Sequence, residues 1–250
     1  MTNVVLYHGR ASTCSKKVRI SLYEKGVAFE SRLLDLQKFE QHTAEYLAIN
    51  PKGVVPTLVH DGQAITESSI IIEYVDDAFP GAPLTPEDPV CRAKMRHWLR
   101  FSDDVAYKAV YAPTWQYMRH RAAKGLGAAN LDETLACIPT EERRSRWLQM
   151  ANGGYSEEEL ADAVRQMEAC LDELDQQLRK SPWLVGDRFT LADIAVLPFA
   201  DRIRNLRPDL LESEDRAAIR VWLDRASERP SFERAINFTE DPRAHELPNI

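Results

Sequence analysis

Two short stretches carry groups suited to holding a small charged peptide: Asn50-Pro51-Lys52-Gly53-Val54-Val55-Pro56-Thr57-Leu58 and Thr66-Glu67-Ser68-Ser69. The first reads as an extended run entering a strand, where a sheet edge offers main-chain donors and acceptors to a peptide. The second reads as a helix start, with a carboxylate and hydroxyls where a charged end binds well. Between them, Thr57-Leu58-Val59-His60 and Gln63-Ala64-Ile65-Thr66 flank Asp61-Gly62, a strong hairpin signal. Edge, hairpin and polar helix start at this spacing make a peptide site. A further group precedes them. Ser12, Thr13, Cys14 and Ser15 lie near the start of the first helix, where hydroxyls and the positive helix end both favour an anion.

These groups need a frame, and the chain supplies one. Val4-Val5-Leu6-Tyr7 reads as a buried strand, followed by a helix from Ser12 or Thr13 to Lys25 that stops at Gly26. Cys14, Val18 and Leu22 repeat every four residues on its inner face. Ala28 to Leu34 supplies a second strand; after a polar segment come the Pro56 loop, the hairpin and a helix from Glu67 to about Ala78. A βαβ unit followed by ββα matches the thioredoxin-like layout. The predicted fold class is α/β plus all-α: a thioredoxin-like domain over residues 1–80, a linker at 81–88 and a helical-bundle domain over 89–250. Pro80-Gly81-Ala82-Pro83 marks the break. Asp88-Pro89 caps a long helix that Pro113 should bend or break. Ser156-Glu157-Glu158-Glu159 opens a helix reaching Arg179, and Thr190 with Asp193 forms a second capping box, a structural feature without catalytic weight. Another helix spans residues 216–228, and the tail after Phe238 reads as irregular. Residues 125–155 make an unusually long helix connection, with Glu141-Glu142-Arg143-Arg144 as a solvated face.

Bulk properties exclude several function classes. A chain of 250 residues can bury a sizeable core. Its net charge of −7 argues against nucleic acid as the main partner, which needs a clustered basic face. Cys14, Cys91, Cys137 and Cys170 lie far apart with no metal-ligand spacing, so a reduced cytoplasmic protein without a metal is expected. Met1-Thr2-Asn3 runs directly into a strand, so no signal peptide is expected, and no apolar run approaches the roughly 18 residues of a membrane span.

The Pro56 loop with Glu67-Ser68 resembles the glutathione site of the glutathione transferase superfamily, and the resemblance covers nearly the whole chain. It implies a cis bond before Pro56, with Val55 pairing to the cysteinyl unit of glutathione and Glu67 and Ser68 holding its γ-glutamyl end. Gln41 and His42 fall where related classes bind the glycyl carboxylate, and Lys52 is an electrostatic partner nearby. Val54 departs from the pattern, because many relatives carry glutamine there. The resemblance also implies a homodimer, with the helix near Glu67 and the long helix at its interface.

A transferase of this kind needs its glutathione co-substrate as thiolate, yet a thiol of pKa about 8.5 is only about 3% ionised at pH 7. Lowering the pKa by about two units requires about 2.7 kcal/mol of differential stabilisation. Aligned through Val18-Arg19-Ile20, Ser12 matches the activating serine of the zeta and phi classes. Counted back from Gly26, Cys14 falls at the cysteine of the beta class, which would favour disulfide chemistry. Tyr7 is the looser match to tyrosine-type classes. A small-molecule electrophile would enter between the domains, where Tyr107, Tyr111, Trp115 and Met118 share one helix face; Tyr111 and Trp115 are the expected ring-stacking residues. Lys38-Phe39-Glu40-Gln41-His42, His60-Asp61-Gly62 and the insertion with Ile138-Pro139 and Trp147 look like the bacterial β-etherases, which cleave β-aryl ethers with glutathione. Three readings stand: a glutathione transferase, a thiol-disulfide or dehydroascorbate-type reductase using Cys14, and a non-catalytic transferase-like binding module.

Overall fold

The computed structural model describes residues 3–128 and 135–250. Four strands form one mixed sheet in the order β2-β1-β3-β4: β1 Val4–His8, β2 Glu30–Leu33, β3 Thr57–His60 and β4 Gln63–Ile65. β1 pairs parallel with β2 and antiparallel with β3, with Leu6 opposite Leu58 and Tyr7 opposite Thr57. The Asp61-Gly62 hairpin forms as expected, both residues at positive φ as a tight two-residue turn requires.

Helix α1 (Thr13–Glu24) packs Val18, Ile20 and Leu22 into the core with Ile71, Ile72 and Val75 of α3 (Ser68–Ala78). Its burial exceeds what an amphipathic stripe predicts, because Lys16, Lys17, Arg19 and Ser21 are also enclosed. Each has a partner, as burial demands. Lys17 Nζ donates to Ser69 Oγ, Ser102 Oγ and Asp103 Oδ1, at 2.8, 3.0 and 2.9 Å. Arg19 donates to the main-chain oxygens of Gly9, Arg10 and Ala235. A short helix α2 (Ala44–Ile49), capped by Thr43, stands where the sequence offered only a polar segment.

The remainder is helical. Asp88 caps α4 (Pro89–Phe101), which passes through a wide π-turn at Ser102–Ala106 into α5 (Tyr107–Ala128). The interruption therefore precedes Pro113, which lies inside α5 and does not end it. An interior proline costs about 3 kcal/mol; the residues just before it, Ala109 and Val110, are buried in the core and hold this end of α5 in place. Helices α6 (Glu141–Ala151), α7 (Glu157–Leu178) and α8 (Leu191–Leu206) follow, the last two opened by complete capping boxes at Ser156/Glu159 and Thr190/Asp193. Of the connection at 125–155, residues 129–134 lie outside the described residues. Helices α9 (Ala217–Ser227) and α10 (Pro230–Ile236) complete the bundle. The tail is not loose: Phe238, Ala244 and Leu247 cluster on Leu33, and Arg10 donates to the main-chain oxygens of Phe238 and Leu247. No described helix is long and apolar enough to cross a membrane.

Candidate functional site

Between the sheet half and the helical half lies a cavity of about 490 Å³. Its walls bring together Ser12, Cys14, Gln41, His42, Val55, Pro56, Glu67, Ser68, Tyr111 and Trp115, residues spread over a hundred positions of sequence.

The loop before α1 is held from behind. Arg19 takes the carbonyls of Gly9 and Arg10, while Arg202, reaching over from α8, takes that of Ala11. Ser12 is thereby fixed as the N-cap, its Oγ accepting from the Ser15 amide at 3.2 Å. That contact uses an acceptor lone pair and leaves the Ser12 proton free to donate. The first-turn amides beside it have no partner inside the helix, so this corner favours an anion. Cys14 also reaches the cavity wall but is half-buried. Burial pushes its thiol up, against the opposing pull of Lys17 and a Ser68 hydrogen bond. Tyr7 points elsewhere, its ring 5.6 Å from that of Tyr46.

The Val55–Pro56 bond is cis. The preceding residue is anchored: Tyr46 Oη and Asn50 Nδ2 both donate to the Val54 carbonyl. The expected sheet edge is not an edge, because β3 lies between β1 and β4. Val55 is free for another reason. It precedes Thr57, the last residue paired to β1, and its amide and carbonyl make no hydrogen bond among the described residues.

Glu67 stands one residue outside α3, as its N-cap, with φ of 66°. A non-glycine residue there costs on the order of 1–3 kcal/mol, a strain characteristic of ligand sites. Lys52 Nζ donates to Glu67 Oε1 at 2.6 Å, and Ser68 is buried beside it. At the other end of this wall Gln41 and His42 sit on a single 3₁₀ turn, both buried. Gln41 Oε1 and His42 Nδ1 have no hydrogen-bond partner among the described residues. Burial, aided by the Arg143 charge, lowers the His42 pKa to about 4, so the ring is neutral at pH 7. Gly53 at φ 59° permits this packing, since a Cβ there would stand 2.6 Å from His42 Nδ1. Gly53→Ala is expected to destabilise the fold by about 1–2 kcal/mol through the left-handed strain alone. Chemical denaturation of the variant beside the wild type reads this out.

Across the cavity, Tyr107, Tyr111, Trp115 and Met118 of α5 all face in. Their stacking faces are already used in part. Arg146 lies over the Tyr111 ring at 4.3 Å, and Trp115 meets Trp147 edge-on at 4.8 Å. Trp147 in turn packs on Phe39 at 4.5 Å. The acid–base run at 141–144 is therefore solvated only in part: Glu141 and Glu142 are exposed, but Arg143 turns into the cavity wall. Arg143, Arg146 and Arg202, with Asp103, are charged wall residues that sequence reasoning missed. Arg143, Arg146 and Trp147 are spaced three and four apart, a face legible once the segment is read as a helix. Among the described residues no cluster of His, Cys, Asp and Glu is suited to a metal ion.

Family models described as the glutathione S-transferase N-terminal domain and C-terminal domain match residues 6–83 and 128–230. The chain is 34% identical over 235 residues to Protein LigF of Sphingobium sp. strain SYK-6, an alignment covering 91% of this chain and 90% of that one. Glutathione S-transferase F9 of Arabidopsis thaliana is 29% identical over 236 residues, 93% of this chain and 96% of its own. Among solved structures, that of the beta-etherase LigF from the same Sphingobium strain matches with a TM-score of 0.86 at 32% identity. That match covers 95% of this chain and 100% of the other.

Proposed function

The chain belongs to the glutathione S-transferase family, and from that premise we propose that it activates glutathione at Ser12 for attack on an aromatic electrophile. The observation that carries this reading is the cavity itself. It joins a hydroxyl at a helix start, an unpaired stretch of backbone at Val55 and a wall of aromatic rings.

Glutathione would lie along Val55, whose amide and carbonyl pair with the cysteinyl unit as a strand would. Its γ-glutamyl end meets Glu67 and Ser68, and its glycine end meets Gln41 and His42. This directs the sulfur to the start of α1, where the Ser12 hydroxyl donates to the thiolate and the helix end adds positive potential. Cys14 is the weaker candidate, because a thiol whose pKa is raised by burial is a poor nucleophile at neutral pH.

The electrophile faces Tyr107, Tyr111, Trp115 and Trp147. The thiolate attacks carbon, a C–S bond forms, and the leaving group departs with the electron pair. An aryloxide suits this wall, because Arg146 supplies positive charge beside the rings. The similarity to a beta-etherase across nearly the full length supports ether cleavage as the specialisation. A homodimer fits the family, and the exposed Ile70 and Val90 on α3 and α4 offer apolar ground for it.

The test sets two substrates side by side. With glutathione, a model β-aryl ether ketone is expected to release its phenol and leave a glutathione thioether, while chlorodinitrobenzene is conjugated as a general electrophile. Conjugation of the second with no phenol release from either enantiomer of the first would remove the ether specialisation. It would leave general transfer.

A further inference from the structure

We propose that Arg143, on the insertion helix α6, binds the carboxylate at the glycine end of glutathione and so completes the tripeptide site from the helical half of the molecule. This rests on the glutathione reading above and deepens it.

The two ends of glutathione differ in charge. The γ-glutamyl end carries an ammonium and a carboxylate, whereas the glycine end carries a carboxylate alone. The two ends of the wall differ in the same sense. At one, Glu67 and Lys52 form an ion pair with opposite charges on offer, beside the Ser68 hydroxyl. At the other stand Gln41, His42 and Gly53, none of which carries charge at pH 7. The buried Gln41 Oε1 and His42 Nδ1 are unpartnered among the described residues. Burial and the Arg143 charge keep the imidazole neutral, so Gln41 and His42 themselves offer an entering carboxylate no counter-charge, and the Lys52 ammonium is already paired with Glu67.

Arg143 supplies it. Its Nη1 donates to the carbonyls of Lys52 and Gly53, each at 3.0 Å, which fixes the guanidinium at this end of the cavity. Gly53 is the residue that packs directly on His42. Arg143 makes no ion pair among the described residues, and its Nη2 and Nε are not used in their hydrogen bonds. A half-satisfied guanidinium offers the planar fork that a carboxylate fits. Its anchoring to two carbonyls also means that little side-chain freedom is lost on binding. The insertion helix then does more than roof the electrophile pocket: it is tied to the co-substrate's own charge.

The experiment is a cycle between one residue and one ligand group. Wild type and Arg143→Gln are titrated calorimetrically with glutathione and with its glycine monoethyl ester, which removes the charge at this end only. Wild type should bind glutathione about 10-fold or more tighter than the ester, the range of a charged hydrogen bond. Arg143→Gln should bind glutathione about 10- to 100-fold more weakly and the ester nearly as wild type does. Equal weakening of both ligands, or of neither, would overturn the assignment and leave Arg143 as a strap between α6 and the 52–53 loop. Arg143→Lys carries the same test if the Gln variant misfolds: it should lose part of the discrimination, and equal weakening of both ligands again overturns. A wild type that binds neither ligand would instead overturn the glutathione reading, and this inference with it.

Discussion

Ser12→Ala is expected to raise the pKa of bound glutathione by about one to two units, the equivalent of the 1.5–3 kcal/mol that a hydrogen bond to a charged group contributes. Turnover at pH 6.5 should fall about 5- to 50-fold, because the thiolate fraction drops from about half to between about a tenth and a hundredth while the thiol still binds. Glutathione affinity should change far less, since Val55, Glu67, Ser68 and Arg143 are untouched. The variant also loses an N-cap, for the Ser12 oxygen accepts the Ser15 amide. A stability loss of about 1 kcal/mol is expected from that alone. Ser12→Thr, which keeps both hydroxyl functions, separates the two effects by restoring cap and thiolate donor together. Cys14→Ala should leave transfer intact. Loss of turnover in Cys14→Ala with retention in Ser12→Ala would move the chemistry to the cysteine.

The largest effect on stability is expected at a residue outside the cavity. Asp193 is fully enclosed, and its two oxygens accept from three separate elements. Oδ1 receives the Leu184 amide and Trp222 Nε1, both at 3.0 Å, and Oδ2 receives the Thr190 amide at 3.0 Å and the Thr190 hydroxyl at 3.3 Å. Asp193→Ala strands these buried donors, four in all, at once. The expected loss is about 3–5 kcal/mol, a large part of the 5–15 kcal/mol typical of a folded protein. Burial also raises the Asp193 pKa from 3.8 to about 6. The sign follows from linkage: a carboxyl whose pKa rises on folding contributes most when protonated, and that contribution declines as pH climbs through the interval. The deficit of Asp193→Ala should therefore be widest near pH 4 and narrower above pH 6. Urea denaturation at both pH values measures it. A deficit that widens with pH would contradict the assigned direction.

Local chemistry made parts of this fold legible. Asp61-Gly62 supplies a turn that few other dipeptides can make, and Thr190 with Asp193 satisfies amides within three residues of one another. Such features depend on neighbours in sequence, so sequence shows them. What could not be read depends on distant partners. Lys16, Lys17 and Arg19 look like the solvated face of α1, yet each is buried because groups far along the chain satisfy it: Ile250, Asp103 and Ala235. Pro113 looks like a breaker, but core packing around it holds α5 together. The tail looked irregular because its order comes from Arg10 and Leu33 rather than from a periodic pattern. Arg143 is the clearest case for function. Within its own segment it is one charge among four, and only the fold shows its guanidinium on the Lys52 and Gly53 carbonyls.

The same contrast applies to the aromatic face of α5. Spacing alone places Tyr107, Tyr111, Trp115 and Met118 together, and they do line one wall. Spacing could not show that Arg146 covers one side of Tyr111 or that Trp147 abuts Trp115. A ring already faced by a guanidinium is better suited to presenting its hydroxyl and the nearby charge than to sandwiching a substrate ring. Trp115, Trp147 and Phe39 form the apolar floor instead.

Thiolate formation at the start of α1 is the central claim, and ultraviolet titration of glutathione bound to the wild-type protein tests it most directly. Thiolate absorbance followed against pH under saturating protein should show half-ionisation near pH 6.5, about two units below the free thiol. Bound glutathione that ionises near pH 8.5, as it does in water, would contradict the account.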